Sequence, residues 1–274
     1  MKKGLLSAAI ILIGMAAFAV AQPGELSGKF DITYGSKYIW RGFDVYKDKS
    51  AIHAGVDLNL YDTGFGVNVV AHRANSDGFE NAERWDYTLY YHNMLFGDEA
   101  YATAYNVGWM YYNYPDSSSH TTNSTDLQEV HGIFSWPKIL GIDGLVPSYC
   151  LVKLWPSNSN SLVGSKSPAA GATASGFAHI FMLDYALPVT CPVTGDSRVF
   201  NFHSEVVYND GVSPNGASDV DNDWSNAVFG VTTNFDLGNN MLLVPGVYHQ
   251  ITMDKSVNDD KDETWATVSW QYKF

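Results

Sequence analysis

Beyond residue 20 the chain has no run of about 18 apolar residues, which excludes a second membrane-spanning helix. Charge is also sparse. Only 16% of residues are Asp, Glu, Lys or Arg, low for a soluble domain. Basic residues are the scarcer kind: 16 Lys and Arg stand against 29 acids, a formal net charge of −13. Such a balance excludes nucleic acid and other polyanions as partners. Cysteine is nearly absent. Cys150 and Cys191 are the two, a number that fits an oxidising compartment and one candidate disulfide. The eight histidines are scattered without zinc spacing, so no metal centre or other cofactor is expected.

Aromatic residues, in contrast, are plentiful: 17 Tyr, 14 Phe and 8 Trp. They concentrate in alternating segments. In the last eleven residues, Ala266, Val268, Trp270, Tyr272 and Phe274 form one apolar row. Thr267, Ser269, Gln271 and Lys273 form the other, with Trp265 at its far end. Alternation of this kind marks a strand with two unlike faces. Ending the protein on Phe274, it matches the closing strand of an outer-membrane barrel, with lipid on one side and a lumen on the other.

The N-terminus supports export. Met1-Lys2-Lys3 is basic, Leu5 to Val20 is apolar, and Ala19-Val20-Ala21 offers a cleavage site. Residues 1–21 are therefore expected to be a signal peptide and 22–274 the barrel domain. An exported, aromatic-rich chain without helical spans enters a membrane as a closed barrel, since lipid leaves no backbone group unpaired.

Twelve strands are predicted, at about 28–42, 51–62, 65–75, 84–95, 100–114, 127–138, 145–156, 176–188, 199–210, 224–237, 241–253 and 264–274. Short connections alternate with long polar ones, the pattern of periplasmic turns and external loops. The even strand number puts both chain ends on the periplasmic side. The alternative, an exported β-sandwich, would carry more charge outside.

Placing the polar rows inward gives candidate pore residues: Lys37, Arg41, Asp57, Asp86, Glu129, His131, Asp184, His203, Glu205, Asp236 and Lys273. Acids outnumber bases among them, which predicts a weak cation preference. The competing expectation is a small barrel filled by paired polar side chains. Arg41 is assigned to the external end of the first strand, pairing with acids across the lumen or simply holding that strand. Gly42 supplies backbone freedom for a bend. Cys150 and Cys191 are expected near the periplasmic end of adjacent strands. Asp219, Asp221 and Asp223 suit a hard cation, but Trp224 stands where an EF-hand loop needs glycine, so a solvated acidic loop is favoured.

Ser36, Tyr38, Arg41 and Gly42 form the pattern S-x-Y-x-x-R-G. It is followed by the turn and strand Thr63-Gly64-Phe65-Gly66-Val67 and the segment Glu83-Arg84-Trp85-Asp86-Tyr87. In these features the chain resembles the TorF-type family of porin-like proteins of Gram-negative bacteria. The resemblance covers about the first third of residues 22–274 and the terminal strand, and it implies a porin-like barrel of undefined substrate.

The expected function is passive diffusion of small hydrophilic solutes or ions through an outer-membrane channel. The alternatives are a non-conducting structural or adhesive barrel working through its loops, and a lipid-active enzyme. No Ser–His–acid constellation emerges, because His249 is assigned to the lipid face and Ser269 to the lumen, so no enzyme is expected. Expected partners are outer-membrane lipid and lipopolysaccharide, small solutes, and the barrel assembly machinery through the strand ending at Phe274.

Overall fold

A computed structural model describes residues 24–116, 126–157, 175–190, 197–214, 220 and 222–274. Fifteen strands run in chain order. They are β1 (Ser27–Gly35), β2 (Ile39–Trp40), β3 (Phe43–Asp44), β4 (Ala51–Asn59), β5 (Phe65–Ala74), β6 (Arg84–Leu95), β7 (Thr103–Asn113), β8 (Leu127–Ser135), β9 (Leu145–Pro156), β10 (Gly176–Thr190), β11 (Ser197–Asp210), β12 (Asp223–Thr233), β13 (Phe235–Gly238), β14 (Met241–Thr252) and β15 (Glu263–Lys273). β12 and β13 are one wall strand interrupted at Asn234, and β2 with β3 forms a separate hairpin. The other strands pair antiparallel with their neighbours, and β15 returns to β1 to close a twelve-stranded barrel. No helix among the described residues is long and apolar enough to cross a membrane.

Closure follows from the opening and closing strands. Phe30 lies opposite Tyr272, Ile32 opposite Trp270 and Tyr34 opposite Val268. Gly28 and Phe274 exchange both backbone hydrogen bonds, at 2.9 and 3.0 Å, so both ends of the wall meet at the short-turn rim. At that rim, Asn239 and Asn240 both take positive φ in the turn leading into β14, as a tight hairpin requires.

Alternation sets the two faces. Phe30, Ile32, Tyr34, Phe181, Phe229, Val247 and Val268 are exposed on the outer surface. Soluble monomers rarely present a contiguous apolar belt of this kind, and among the described residues no second sheet covers it. A closed wall with an apolar exterior is the one sheet architecture that pairs every backbone group within lipid. The protein is an outer-membrane β-barrel.

Two expectations change. The first wall strand ends at Gly35, not at residue 42, because residues 36–50 fold inward. The inner row of β9 is apolar where it carries Cys150, Val152 and Leu154; all three are buried. Lys153 points outward, with its ammonium 4.2 Å from the centre of the Phe177 ring.

Candidate functional site: an inward hairpin

The chain leaves the wall at Ser36, whose backbone N–H donates to Ala266 O at 2.8 Å and whose hydroxyl accepts from Ala266 N at 2.9 Å. It then makes the small β2–β3 hairpin. The two loop residues are Arg41 (φ 49°) and Gly42 (φ 92°), both left-handed, which matches the twist of a two-residue hairpin. A methyl group at residue 42 would lie 2.5 Å from Asn226 Oδ1. Gly42→Ala should therefore lower stability by about 1–2 kcal/mol from the left-handed backbone alone. A urea midpoint unchanged from wild type would contradict this.

The tip crosses the lumen. Arg41 Nη2 donates to Glu129 Oε1 on β8 at 2.7 Å. Glu129 is fully buried and also receives the Tyr112 hydroxyl at 2.6 Å, with His131 Nδ1 at 3.0 Å. On another side, Gly42 O accepts from Gln250 Nε2 at 2.8 Å and from Asn258 Nδ2 at 2.6 Å. Charge-assisted bonds of the Arg41–Glu129 kind are the stronger class, and neither partner can be removed without stranding the other. Sequence placed Arg41 at the end of a wall strand. The structure instead puts it in the hairpin turn, bonded across the bore.

The root of the hairpin is a second polar anchor. The Lys37 ammonium donates to Glu263 Oε2 at 2.6 Å and to Asp48. Asp44, Asp48 and Glu263 bring three carboxylates together, a grouping that sequence spacing did not reveal. Lys37 already neutralises two of them. Burial lowers the Lys37 pKa, but the hydrogen bonds to Asp48 and Glu263 outweigh it and hold the group above its usual 10.5. The same ammonium holds Asp48 below its usual 3.8. A raised lysine stabilises below 10.5 and loses that contribution as pH rises through its folded value. A lowered carboxylate stabilises above 3.8 and loses it as pH falls through its folded value. The anchor should thus be intact across neutral pH and weaken at both extremes. Lys37→Met should remove the alkaline fall in unfolding temperature, and a retained fall would assign it elsewhere.

Between the anchors lies an aromatic stack. The Tyr38 ring is parallel to His72 at 4.9 Å and sits 4.6 Å from His53. Its hydroxyl is bonded to Arg84 Nη2 at 2.7 Å. Arg84 is buried and pairs with Asp86, which also contacts His72 Nε2 at 3.0 Å. Trp40 meets Tyr112 edge-on at 5.7 Å and packs on a buried apolar wall that includes Leu127, Val152, Leu154, Ile180 and Val207. The outer half of the lumen is filled there by hairpin and wall together.

The remaining candidates lie elsewhere on the inner face. Asp57 accepts the Tyr90 hydroxyl at 2.6 Å. His203 lies between Asp184 (2.7 Å) and Glu205 (3.5 Å), all three partly open to the lumen. Asp236 sits at the short-turn rim, where it accepts from Gly238 N at 2.8 Å. Lys273 stands opposite Lys29 in the register and lines a cavity of about 460 Å³ with Asp57, Asn59, Tyr90 and Phe274. An adjoining cavity of about 550 Å³ is lined by Asn59, Asp62, His92 and Met94. Together they form a vestibule of mixed polar and apolar lining at the short-turn end. Among the described residues Cys150 has no disulfide partner; it faces inward in mid-strand, opposite Ile180, rather than near the short-turn end of the strand. Its candidate partner Cys191 lies outside the described residues, as do Asp219 and Asp221; Asp223 opens β12. His249 is exposed and bonds Thr264 Oγ1 at 2.9 Å, while Ser269 is buried on the other face, so the two do not meet.

Residues 19–145 match a family model described as "Bacterial protein of unknown function (Gcw_chp)". That span contains the hairpin and its partners Arg84 and Glu129. No curated protein matches the chain. Among solved structures it is similar to the KdgM porin, at 10% identity over 90% of this chain and 99% of that one, with a TM-score of 0.47. It is similar to LpxR from Salmonella typhimurium at 7% identity, 90% and 100% coverage and a TM-score of 0.45. It is also similar to the β domain of the Bordetella autotransporter BrkA, at 10% identity, 91% and 100% coverage and a TM-score of 0.40. The architecture rests on this chain's own closed strand order, and the chemistry on its own lumen.

Proposed function

We propose that this protein is an outer-membrane channel for passive diffusion of small hydrophilic solutes or ions, with the 36–50 hairpin as its gate. One observation carries the reading: side-chain hydrogen bonds and ion pairs, rather than continuous sheet, tether the hairpin to the wall over an open vestibule. Such tethers release without unfolding the barrel. The TorF-type likeness of the S-x-Y-x-x-R-G segment points the same way. Asp31, Asp57, Asp184 and Glu205 outnumber Lys29 and Lys273 among the lumenal groups not held by the hairpin, which supports a weak cation preference.

The second reading is a non-conducting barrel acting through its external loops. The filled outer lumen favours it. Planar-bilayer recording of refolded protein separates the two. The channel reading expects discrete openings, with a reversal potential displaced toward cations. A protein that never opens, with or without its hairpin, belongs to the second reading. A reversal potential favouring anions removes the cation preference alone. Residues 1–21 are assigned as the export signal, and the strand ending at Phe274 as the segment met by the assembly machinery, with lipopolysaccharide around the outer rim.

A further inference from the structure

Part of the wall behind the hairpin is more apolar than passage of hydrated ions alone calls for. Leu127, Val152, Leu154, Ile180 and Val207 are neighbours on the inner faces of β8 to β11, and each is at most 8% exposed. The facing wall is polar: His53 and His72 on β4 and β5, Arg84 and Asp86 on β6. Between them sits the indole of Trp40. Its ring packs on the apolar side and meets the Tyr112 edge, and the guanidinium carbons of Arg84 and Arg41 each lie 4.8 Å from its centre. Arg41 travels with the hairpin, whereas Arg84 and Tyr112 belong to the wall. When the hairpin withdraws, an apolar slot remains, with a cation and an aromatic edge at its border. That geometry suits a planar ring bearing a polar or anionic edge: dispersion and apolar burial favour the ring, and the guanidinium favours its π face.

We propose that Trp40 occupies the place of the solute, and that the channel selects solutes carrying a planar apolar ring over ring-free solutes of similar size and charge. This rests on the diffusion reading above. The slot selects by wetting as well as by contact. A ring-free solute must carry its water past the apolar wall, as at a hydrophobic constriction.

The test is liposome swelling with the refolded full chain, comparing phenylalanine with glutamine. Both are zwitterions that cross lipid poorly, and only one has a ring. Wild type and the gate variant Arg41→Ala are measured, each also carrying Val152→Thr or Ile180→Thr. The gate variant should admit phenylalanine about tenfold faster than glutamine, the factor that burying roughly half a phenyl ring supplies. Either wall substitution should shrink that ratio, while glutamine entry stays the same or rises. Two independent wall positions guard against one variant failing to fold. Equal entry of the two solutes, or a ratio that survives both wall substitutions, overturns the inference and leaves the channel standing. Entry of neither solute into any of the liposomes overturns the diffusion reading and this inference with it.

Discussion

Excision of residues 38–47, with a short Gly–Ser link joining the ends, should convert the barrel into a steadily conducting pore. Its conductance should exceed that of wild-type openings by about tenfold, as when a lumen packed with side chains becomes one merely lined by them. The wall should survive the cut. Ser36 and Ala51 are retained, and the β1–β4 register from Gly35↔Ala51 to Ser27↔Asn59 does not involve the hairpin. Heat-modifiable migration on gels would report an intact barrel, and single-channel recording its bore. A folded variant with no conductance would show that the apolar wall or the external loops close the pore unaided, and the hairpin would lose its assignment as gate.

Arg84→Leu should be the most destabilising single substitution in the lumen, by about 3–5 kcal/mol. Arg84 is 1% exposed, and its Nε lies 2.9 Å from Asp86 Oδ1. Leucine fills part of the volume but leaves Asp86 buried without its cation, and Tyr38 loses the bond to its hydroxyl. Arg84→Lys should recover only part of the loss, because a single ammonium cannot reproduce the planar fork or the contacts with the Trp40 and Tyr112 rings. Urea unfolding followed by tryptophan fluorescence would measure all three forms. A loss under about 1 kcal/mol would mean that water solvates Asp86 in the folded state.

The wall was legible in the sequence because lipid imposes a strict period. Phe30, Ile32 and Tyr34 face outward against Val268, Trp270 and Tyr272 as alternation requires. The alternating segments themselves gave the twelve wall strands. The hairpin was hidden for a related reason. Ser36 to Trp40 continue the alternating, aromatic character of β1, so period alone extends the strand to residue 42. The decisive signal was the Arg41-Gly42 pair, which marks a tight turn only once both residues take positive φ. Asp57, Asp86, Glu129, His131 and His203 share the inner face, and their partners were not legible. Glu129 answers to a residue 88 positions away, and no local spacing encodes that. The apolar interior of β9 escaped because a polar lumen was assumed where a plug demands a core.

The hairpin stands between the first two wall strands in sequence, yet it is fastened to β8 and to β14, across separations of 88 and 208 residues. Neither contact can form from local chain alone, and the wall closure between Gly28 and Phe274 is more distant still. The final sockets do not exist until β14 has joined the wall. Seating therefore has a prerequisite: the tip of the stopper can be fastened on both sides only once β8 and β14 stand in place.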